Sequence, residues 1–423
     1  MNRIDTDLHA ATLANGVRVI ALSQPHLATA TVAVYLRSGS AHEPRALSGI
    51  SHFAEHMVFK GTATRNAGRI NLDAERLGAE VNAHTDKDHS AFHIRGLAAH
   101  AAPFVHMLAD IVLRPAFPAD ELERERQVLL QEHAEDEDDP VSTAFKLFDR
   151  ACFGSHPVAQ PVIGPRRNVE RLGRAALQAW MAQQVTAPNL VVGVAGPMPA
   201  DALLREAERA FADAAPGTPN VVEAATYSGD IASQRQDGSS QTHLVLGFPI
   251  PPLAAEDPAA TVAASLLGDG MSSPLMQAVR EQRGLAYYAA CSADVLDMCG
   301  QFVIEASTSP AQFDELLAAV LQLMQRQAET TDAVDLERAH NQLAVRRLRA
   351  QEKPLRRLES AALDLFALDR VRTQAEHLDA LRSVTAPQVR DALGRMLAAG
   401  ASVAVTGQVA RGTRDKLRRA VGR

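Results

Sequence analysis

Cysteine is scarce in this chain. Three residues, Cys152, Cys291 and Cys299, are spread over 423 positions, too few for a disulfide framework and in keeping with a reducing compartment. An excess of positive charge is also missing. Lys and Arg number 43 against 50 Asp and Glu, for a formal net charge of −7, which argues against a nucleic-acid or anionic-membrane binder. There is no apolar run of about 18 residues, so no transmembrane helix is expected. The first residues, Met1-Asn2-Arg3-Ile4-Asp5, lack the charged-then-apolar order of a signal peptide, and the expected location is the cytoplasm of a bacterial-type cell. Aromatics make up only 4%, but apolar residues reach 46% and charged residues 22%, an ordinary composition for a soluble globular protein. The length suits two or three domains with a sizeable core. One imbalance stands out: twelve of the fifteen histidines lie at or before His156.

The chain reads as one unit written twice. Alternating apolar runs at 31–37 and 242–247 both read as strands, and their starts are 211 residues apart. Leu190-Val191-Val192-Gly193-Val194-Ala195-Gly196 resembles Ser402-Val403-Ala404-Val405-Thr406-Gly407, and the closing glycines again differ by 211. Glu121-Leu122-Glu123-Arg124 returns as Asp335-Leu336-Glu337-Arg338 at an offset of 214, each time opening a long helical pattern. Turn signals at Pro216-Gly217-Thr218-Pro219 and Asp237-Gly238-Ser239-Ser240 place a linker at 214–240, between halves 1–213 and 241–423. Strands expected at 17–22, 80–84, 90–95 and 301–305 alternate with helices at 98–113 and 312–325. Several strands have hairpin-scale spacing, so the fold class is α+β, with a mostly antiparallel sheet packed with helices in each half.

The sharpest motif is His52-Phe53-Ala54-Glu55-His56. On a helix, residues i and i+4 lie about 40° apart around the axis and one turn along it, so the two imidazoles can face one ion. Neutral imidazole is a good zinc ligand. Glu55 projects on the same side, where it could take a proton from a zinc-bound water, whose pKa falls from ~15.7 to about 7. The pattern over 47–59 reads as a largely buried helix, in which two histidines and a glutamate are costly without a partner.

A catalytic zinc usually has three protein ligands. The helical pattern over 118–131 has Leu122, Val128 and Leu129 on one stripe, with Glu125 and Glu132 inside it. These two carboxylates are two turns apart, about 10.5 Å along the axis, too far for both to reach one ion. One would be the third ligand and the other would orient a histidine. The acidic run Glu135-Asp136-Glu137-Asp138-Asp139 reads as a solvated helix end. An offset of 211 carries 52–56 onto Ala263-Ala264-Ser265-Leu266-Leu267, and 214 carries Glu125 and Glu132 onto Ala339 and Arg346. The second copy therefore lacks the ion site.

His-x-x-Glu-His followed by Glu132, 76 residues after His56, resembles the inverzincins, and more closely the insulinase/pitrilysin family in the short-subunit group of mitochondrial processing peptidase and its bacterial relatives. The resemblance extends over Leu13-Ala14-Asn15-Gly16-Val17-Arg18-Val19, Gly39-Ser40, His56-Met57-Val58-Phe59-Lys60-Gly61-Thr62, Val81-Asn82-Ala83-His84-Thr85, Val162-Ile163-Gly164-Pro165 and the segment from Arg280 to Tyr287. It implies a processing-peptidase-like fold with one zinc per chain, held by His52, His56 and Glu132. Glu55 would be the general base and Glu125 the acid that orients a ligand. Arg280 and Tyr287 would hold the substrate carbonyl and the oxyanion, with Tyr288 an adjacent competitor for the tyrosine role. Asn82 and Ala83 resemble the end of an edge strand to which an extended peptide is added. The sequence departs from the family where an aspartate, a β-branched residue and a tyrosine are usual: here it reads Asp88-His89-Ser90-Ala91-Phe92. His84 and His89 read as exposed or supporting histidines.

The expected function is that of a zinc-dependent endopeptidase acting on peptides or unfolded precursor segments. By the same resemblance it would work as a homodimer or as a heterodimer with a related subunit, with no nucleic-acid or membrane partner. The alternative is a non-catalytic scaffold or partner subunit of a processing-peptidase-like complex; such chains typically lose the motif that this one keeps.

Overall fold

The computed structural model describes residues 2, 3, 5 and 7–422. They form two compact units, each assembled from three stretches of chain. The first comprises Met1–His133, Gln160–Val222 and Ala350–Gln374; the second comprises Ala134–Ala159, Glu223–Arg349 and Ala375–Arg423. Each half read from the sequence thus lends a segment to the unit formed mainly by the other. Among the described residues, no helix is long and apolar enough to cross a membrane.

The first unit contains strands β1 (Asn2–Arg3), β2 (Leu8–Thr12), β3 (Arg18–Ser23), β4 (Thr29–Leu36), β5 (Glu80–Thr85), β6 (Ser90–Leu97) and β7 (Leu190–Gly196). They form one sheet in the order β1-β2-β3-β7-β4-β6-β5, antiparallel except for the β3·β7 pair. The second unit contains β8 (Ile231–Ser233), β9 (Thr242–Ile250), β10 (Ala286–Val295), β11 (Gly300–Thr308) and β12 (Ser402–Gly407), in the order β10-β11-β9-β12-β8. Only β12·β8 is parallel there. Matching β4 with β9 and β7 with β12 superimposes this order on β5-β6-β4-β7-β3. The two sheets therefore share topology and the position of their single parallel pair, as a duplicated α+β unit requires.

The central strands are buried throughout because helices cover both faces of the sheet. Side chains alternate across a strand. In β4, Val32, Val34 and Leu36 join one core, while Ala33 and Tyr35 join another. The first core is filled by helices α1 (Ile50–Val58) and α3 (Ala101–Leu113), with α2 (Ala67–Arg76) at its margin. The second is filled by the helix Pro354–Leu368 through Leu358, Ala361, Ala362 and Leu365. The second unit uses the equivalent device: α5 (Pro140–Phe153), which follows α4 (Ala119–Asp138) in the chain, packs on β8, β9 and β12. A strand covered on both faces reads as a continuous apolar run rather than a clean alternation, as 31–36 does.

Leu358 is fully buried against the sheet. Leu358→Ala is expected to lower unfolding free energy by about 2–5 kcal/mol, measured by chemical denaturation. A loss well under about 1 kcal/mol would show that this helix is not part of the core.

Candidate metal centre

Helix α1 begins where its sequence can no longer continue backward as helix. Gly49 has φ 96°, a left-handed conformation suited to glycine, and its Cα faces the Ile163–Gly164 backbone so closely that a Cβ would lie 2.9 Å from the Ile163 carbonyl oxygen. The helix therefore starts at Ile50, inside the 47–59 span expected from periodicity. Glu43 caps it: the Gly49 and Ser51 amides donate to its two carboxylate oxygens at 2.7 and 2.8 Å. These are amides that a helix start leaves without partners. Burial raises the Glu43 carboxyl to about 7, against the pull of the two amides. The apolar residues Ile50, Phe53, Ala54, Met57 and Val58 lock α1 into the core. That leaves His52, Glu55 and His56 on its remaining side.

Helix α4 supplies the facing carboxylates. Its buried residues are Leu122, Glu125, Arg126, Leu129 and His133. Val128, expected on the apolar stripe, is instead 42% exposed. The stripe turns toward Arg126 because that side chain is satisfied in place. Its guanidinium lies 5.5 Å from the centre of the Phe53 ring, donates to the Val169 carbonyl and bonds Glu123.

The geometry gives the two glutamates different positions. Oε2 of Glu132 lies 3.8 Å from Nε2 of His52 and 3.8 Å from Nε2 of His56. These three donor atoms fall within 4.8 Å of one another. Ligand atoms about 2.0–2.2 Å from a tetrahedral zinc stand roughly 3.3 Å apart, so small side-chain adjustments would close the set around an ion. Glu125 is deeper. Its Oε2 meets Nδ1 of His56 at 3.2 Å and its Oε1 meets Nζ of Lys60 at 2.7 Å. A carboxylate on Nδ1 fixes the ring so that Nε2 is the nitrogen offered to a metal.

The electrostatics suit a cation. Burial, and next the neighbouring His56 ring, hold His52 down to about 4, so its imidazole is neutral and able to ligate at neutral pH. Burial is also the largest effect on Glu55 and lifts its carboxyl above the ordinary range, with Glu132 acting in the same direction. The Thr85 hydroxyl and the His56 and His84 rings pull it the other way. Oε2 of Glu55 is buried without a hydrogen-bond partner. An orphaned carboxylate oxygen beside two imidazoles and a second carboxylate matches the donor chemistry of a zinc site with a base beside it, and these residues fit that ion.

Asn82 and Ala83 lie on β5, the last strand of its sheet; the Ala83 amide donates to the Asn82 side chain at 2.8 Å. β5 packs against α1. Arg280 and Tyr287 lie in the second unit. Arg280 falls in a short π-helical turn, Gln277–Glu281, a feature often found at functional sites. Its guanidinium lies 4.7 Å from the centre of the Tyr287 ring. Tyr287 is the extra residue of a β-bulge in β10, since Ala286 pairs with Thr308 and Tyr288 with Ser307. Bulges re-aim a side chain, and Tyr287 is 81% exposed. Tyr288 differs: its hydroxyl donates to Glu305 at 2.6 Å.

Sequence reasoning missed Glu43 and Lys60. Lys60 follows His56 by one turn, a spacing that could have found it. Glu43 acts on backbone amides, which leave no side-chain signal. In the second unit, the helix Ala259–Gly268 carries Ala263 and Ala264, both buried, at the equivalent place. Asp269, at its end, pairs with Arg346 and accepts from Arg338 and Ser265. A hydrogen-bonded cluster with one ion pair stands where the first unit gathers its candidate metal donors.

Two outcomes are expected. Glu125→Gln should weaken zinc retention by about 10–100-fold in chelator competition, because the His56 ring loses its anchor while all three donors remain. In the metal-free chain, His52 titrates lower when folded than when unfolded. Its contribution is therefore fully present above about pH 6.5 and is lost as pH falls toward about 4. Denaturation of wild type and His52→Gln over this window should show a steeper acid loss for wild type.

Residues 18–166 match the family described as insulinase (peptidase family M16), and residues 171–343 match the peptidase M16 inactive domain. An uncharacterized zinc protease of Rickettsia bellii is 28% identical over 95% of this chain and 98% of its own length. One from Mycobacterium leprae is 33% identical over 74% of this chain and 72% of its own. Among solved structures, a protease from Helicobacter pylori superposes with a TM-score of 0.85 at 19% identity, covering 94% of this chain and 99% of that one. The peptidase M16 inactive domain from Pseudomonas fluorescens gives 0.83 at 21% identity, covering 95% and 98%. With matched segments that together span most of its length and this level of identity, the chain belongs to the M16, or insulinase, peptidase family.

Proposed function

We propose that this chain is a zinc-dependent endopeptidase that hydrolyses peptides or unfolded precursor segments. One observation carries the reading: Glu55 is a half-buried carboxylate with one buried, unpartnered oxygen, next to an imidazole pair whose Nε2 atoms face Glu132. Family membership and the names of the relatives support it. A scaffold subunit would have no use for a carboxylate kept costly in this way.

His52, His56 and Glu132 would hold the zinc, which when bound supplies a Lewis acid and makes water acidic enough to attack at neutral pH. Glu55 accepts a proton from the attacking water at its free oxygen. Water oxygen bonds to the scissile carbonyl carbon, the carbon–nitrogen bond breaks, and Glu55 returns its proton to the leaving amine. A carboxyl whose affinity for protons is raised by burial suits both roles. Glu125 and Lys60 keep the His56 ring in orientation. β5, exposed at the sheet edge and packed on α1, offers an extended substrate backbone a strand to pair with, with Asn82 and Ala83 at that edge. Arg280 and Tyr287 are a guanidinium and a phenol suited to a developing oxyanion.

Glu55→Gln is expected to retain zinc and lose at least about 100-fold in activity on quenched-fluorescence peptides, because the base is removed while the ligands remain. Equal cleavage by both proteins, or wild-type protein purified without chelators that holds no zinc, would overturn the proposal.

A further inference from the structure

A second cluster lies in the first unit, at the end of the β5–β6 hairpin. Nε2 of His84, on β5, is 3.0 Å from Oε1 of Glu359. Nε2 of His89, in the turn just before β6, is 3.7 Å from the same oxygen. Glu359 comes from the helix Pro354–Leu368, about 270 residues along the chain from His89. The three donor atoms lie within 4.8 Å of one another, as at the first centre.

We propose that His84, His89 and Glu359 form a second divalent-cation site, selective for transition ions such as Zn2+ or Co2+, with Asp88 orienting His89. Two imidazole nitrogens and one carboxylate oxygen are the donor types such ions take. Three observations point to an ion rather than to a plain salt bridge. First, His89 is 95% buried by side chain, yet its Nε2 makes no hydrogen bond and is aimed at the shared oxygen. Second, its Nδ1 is held by Asp88 at 2.7 Å, which repeats the Glu125–His56 arrangement and commits Nε2 to the cluster. Third, Glu359 divides its oxygens: Oε2 is held by Arg356 at 2.7 Å, leaving Oε1 to the two rings. Around the two rings, Asp88 and Glu359 bring two carboxylates and Arg356 one guanidinium. The remaining charge favours a cation over an anion or a neutral ligand.

The site is also rigidly built. Ser40 and Ala41 amides donate to the Asp86 and Lys87 carbonyls at 3.1 and 2.9 Å, clamping the 86–89 turn. Gly39 permits this approach, since a Cβ there would lie 2.2 Å from the Asp86 carbonyl oxygen. The competing occupant is a proton. Burial opposes it, but Asp88 and Glu359 together hold the His89 imidazolium up to about 10.

The proposal does not depend on the peptidase reading, and the test separates them. The full chain, stripped with chelator and dialysed, is titrated with Zn2+ alone and with Co2+ alone, and bound metal per chain is measured. Wild type should take up about two ions, and His52→Ala with His56→Ala about one. In that double variant, Glu359→Gln should abolish the remaining ion. Asp88→Asn, nearly isosteric and safer for folding, should weaken it about 10–100-fold. A wild-type chain that saturates at one ion, lost in the His52/His56 variant, would overturn the second site and leave the first standing. A remaining ion indifferent to both Glu359→Gln and Asp88→Asn would also overturn it. A single ion that survives in the His52/His56 variant and is lost with Glu359→Gln would support the second site and count against the first.

Discussion

An imidazole largely withdrawn from water on an apolar helix needs a partner for each ring nitrogen, and this requirement at His56 joins the two helices of the centre. Nδ1 is met by Glu125 from α4 and Nε2 faces Glu132 from the same helix. Glu125 is itself buried, and its second oxygen is met by Lys60, one turn beyond His56. The contact therefore runs from α1 to α4 and back to the end of α1. Removing Lys60 would leave the buried Glu125 carboxylate without its cation, which costs far more than losing a surface pair. Glu43 sets the other end of α1 by taking two of its free amides. Held at both ends, the helix has one rotation about its axis, and that rotation directs His52, Glu55 and His56 together.

The second unit shows that the architecture does not need this centre. Its sheet has the same order, and its equivalent helix presents Ala263 and Ala264. Ala339, at the place of Glu125, is fully buried without a partner to find. Small apolar residues fill the helix interface there, and the charged groups near it pair among themselves through Asp269, Arg338 and Arg346. The imidazoles and carboxylates of the first unit are thus a local burden on a fold that is stable by other means. Such violations of core chemistry mark where function is placed.

The parts of this design written locally were legible in the sequence. A helix period places His52 and His56 on one side whatever the surrounding fold, and the near-constant offset marks the duplication independently of strand order. The parts that failed depended on contacts distant in sequence. The apolar stripe predicts Val128 on the inner face, whereas the structure exposes Val128 and buries Arg126. The Phe53 ring and the Val169 carbonyl reverse that choice, and neither is near Arg126 in sequence. Glu359 carried no signal at all, since the helix bearing it lies in the other half of the sequence yet packs on the first sheet. That exchange also explains why contiguous halves describe the repeat in the sequence but not the compact units, which borrow α5 and 354–368.

The departure at Asp88-His89 gains a physical meaning from the same rule that governs His56. A histidine only 5% exposed by side chain is tolerable because one nitrogen has a carboxylate and the other is directed at a second. Those partners and the Gly39 clamp tie the hairpin end to the 354–368 helix and to the 39–41 segment, so β5 is fixed at that end. Thr85, its last residue, reaches the Glu55 carboxyl. An unpaired edge strand is ordinarily mobile and a liability. Here the contacts that anchor its end also tie the edge a substrate backbone could join to the Glu55 carboxylate.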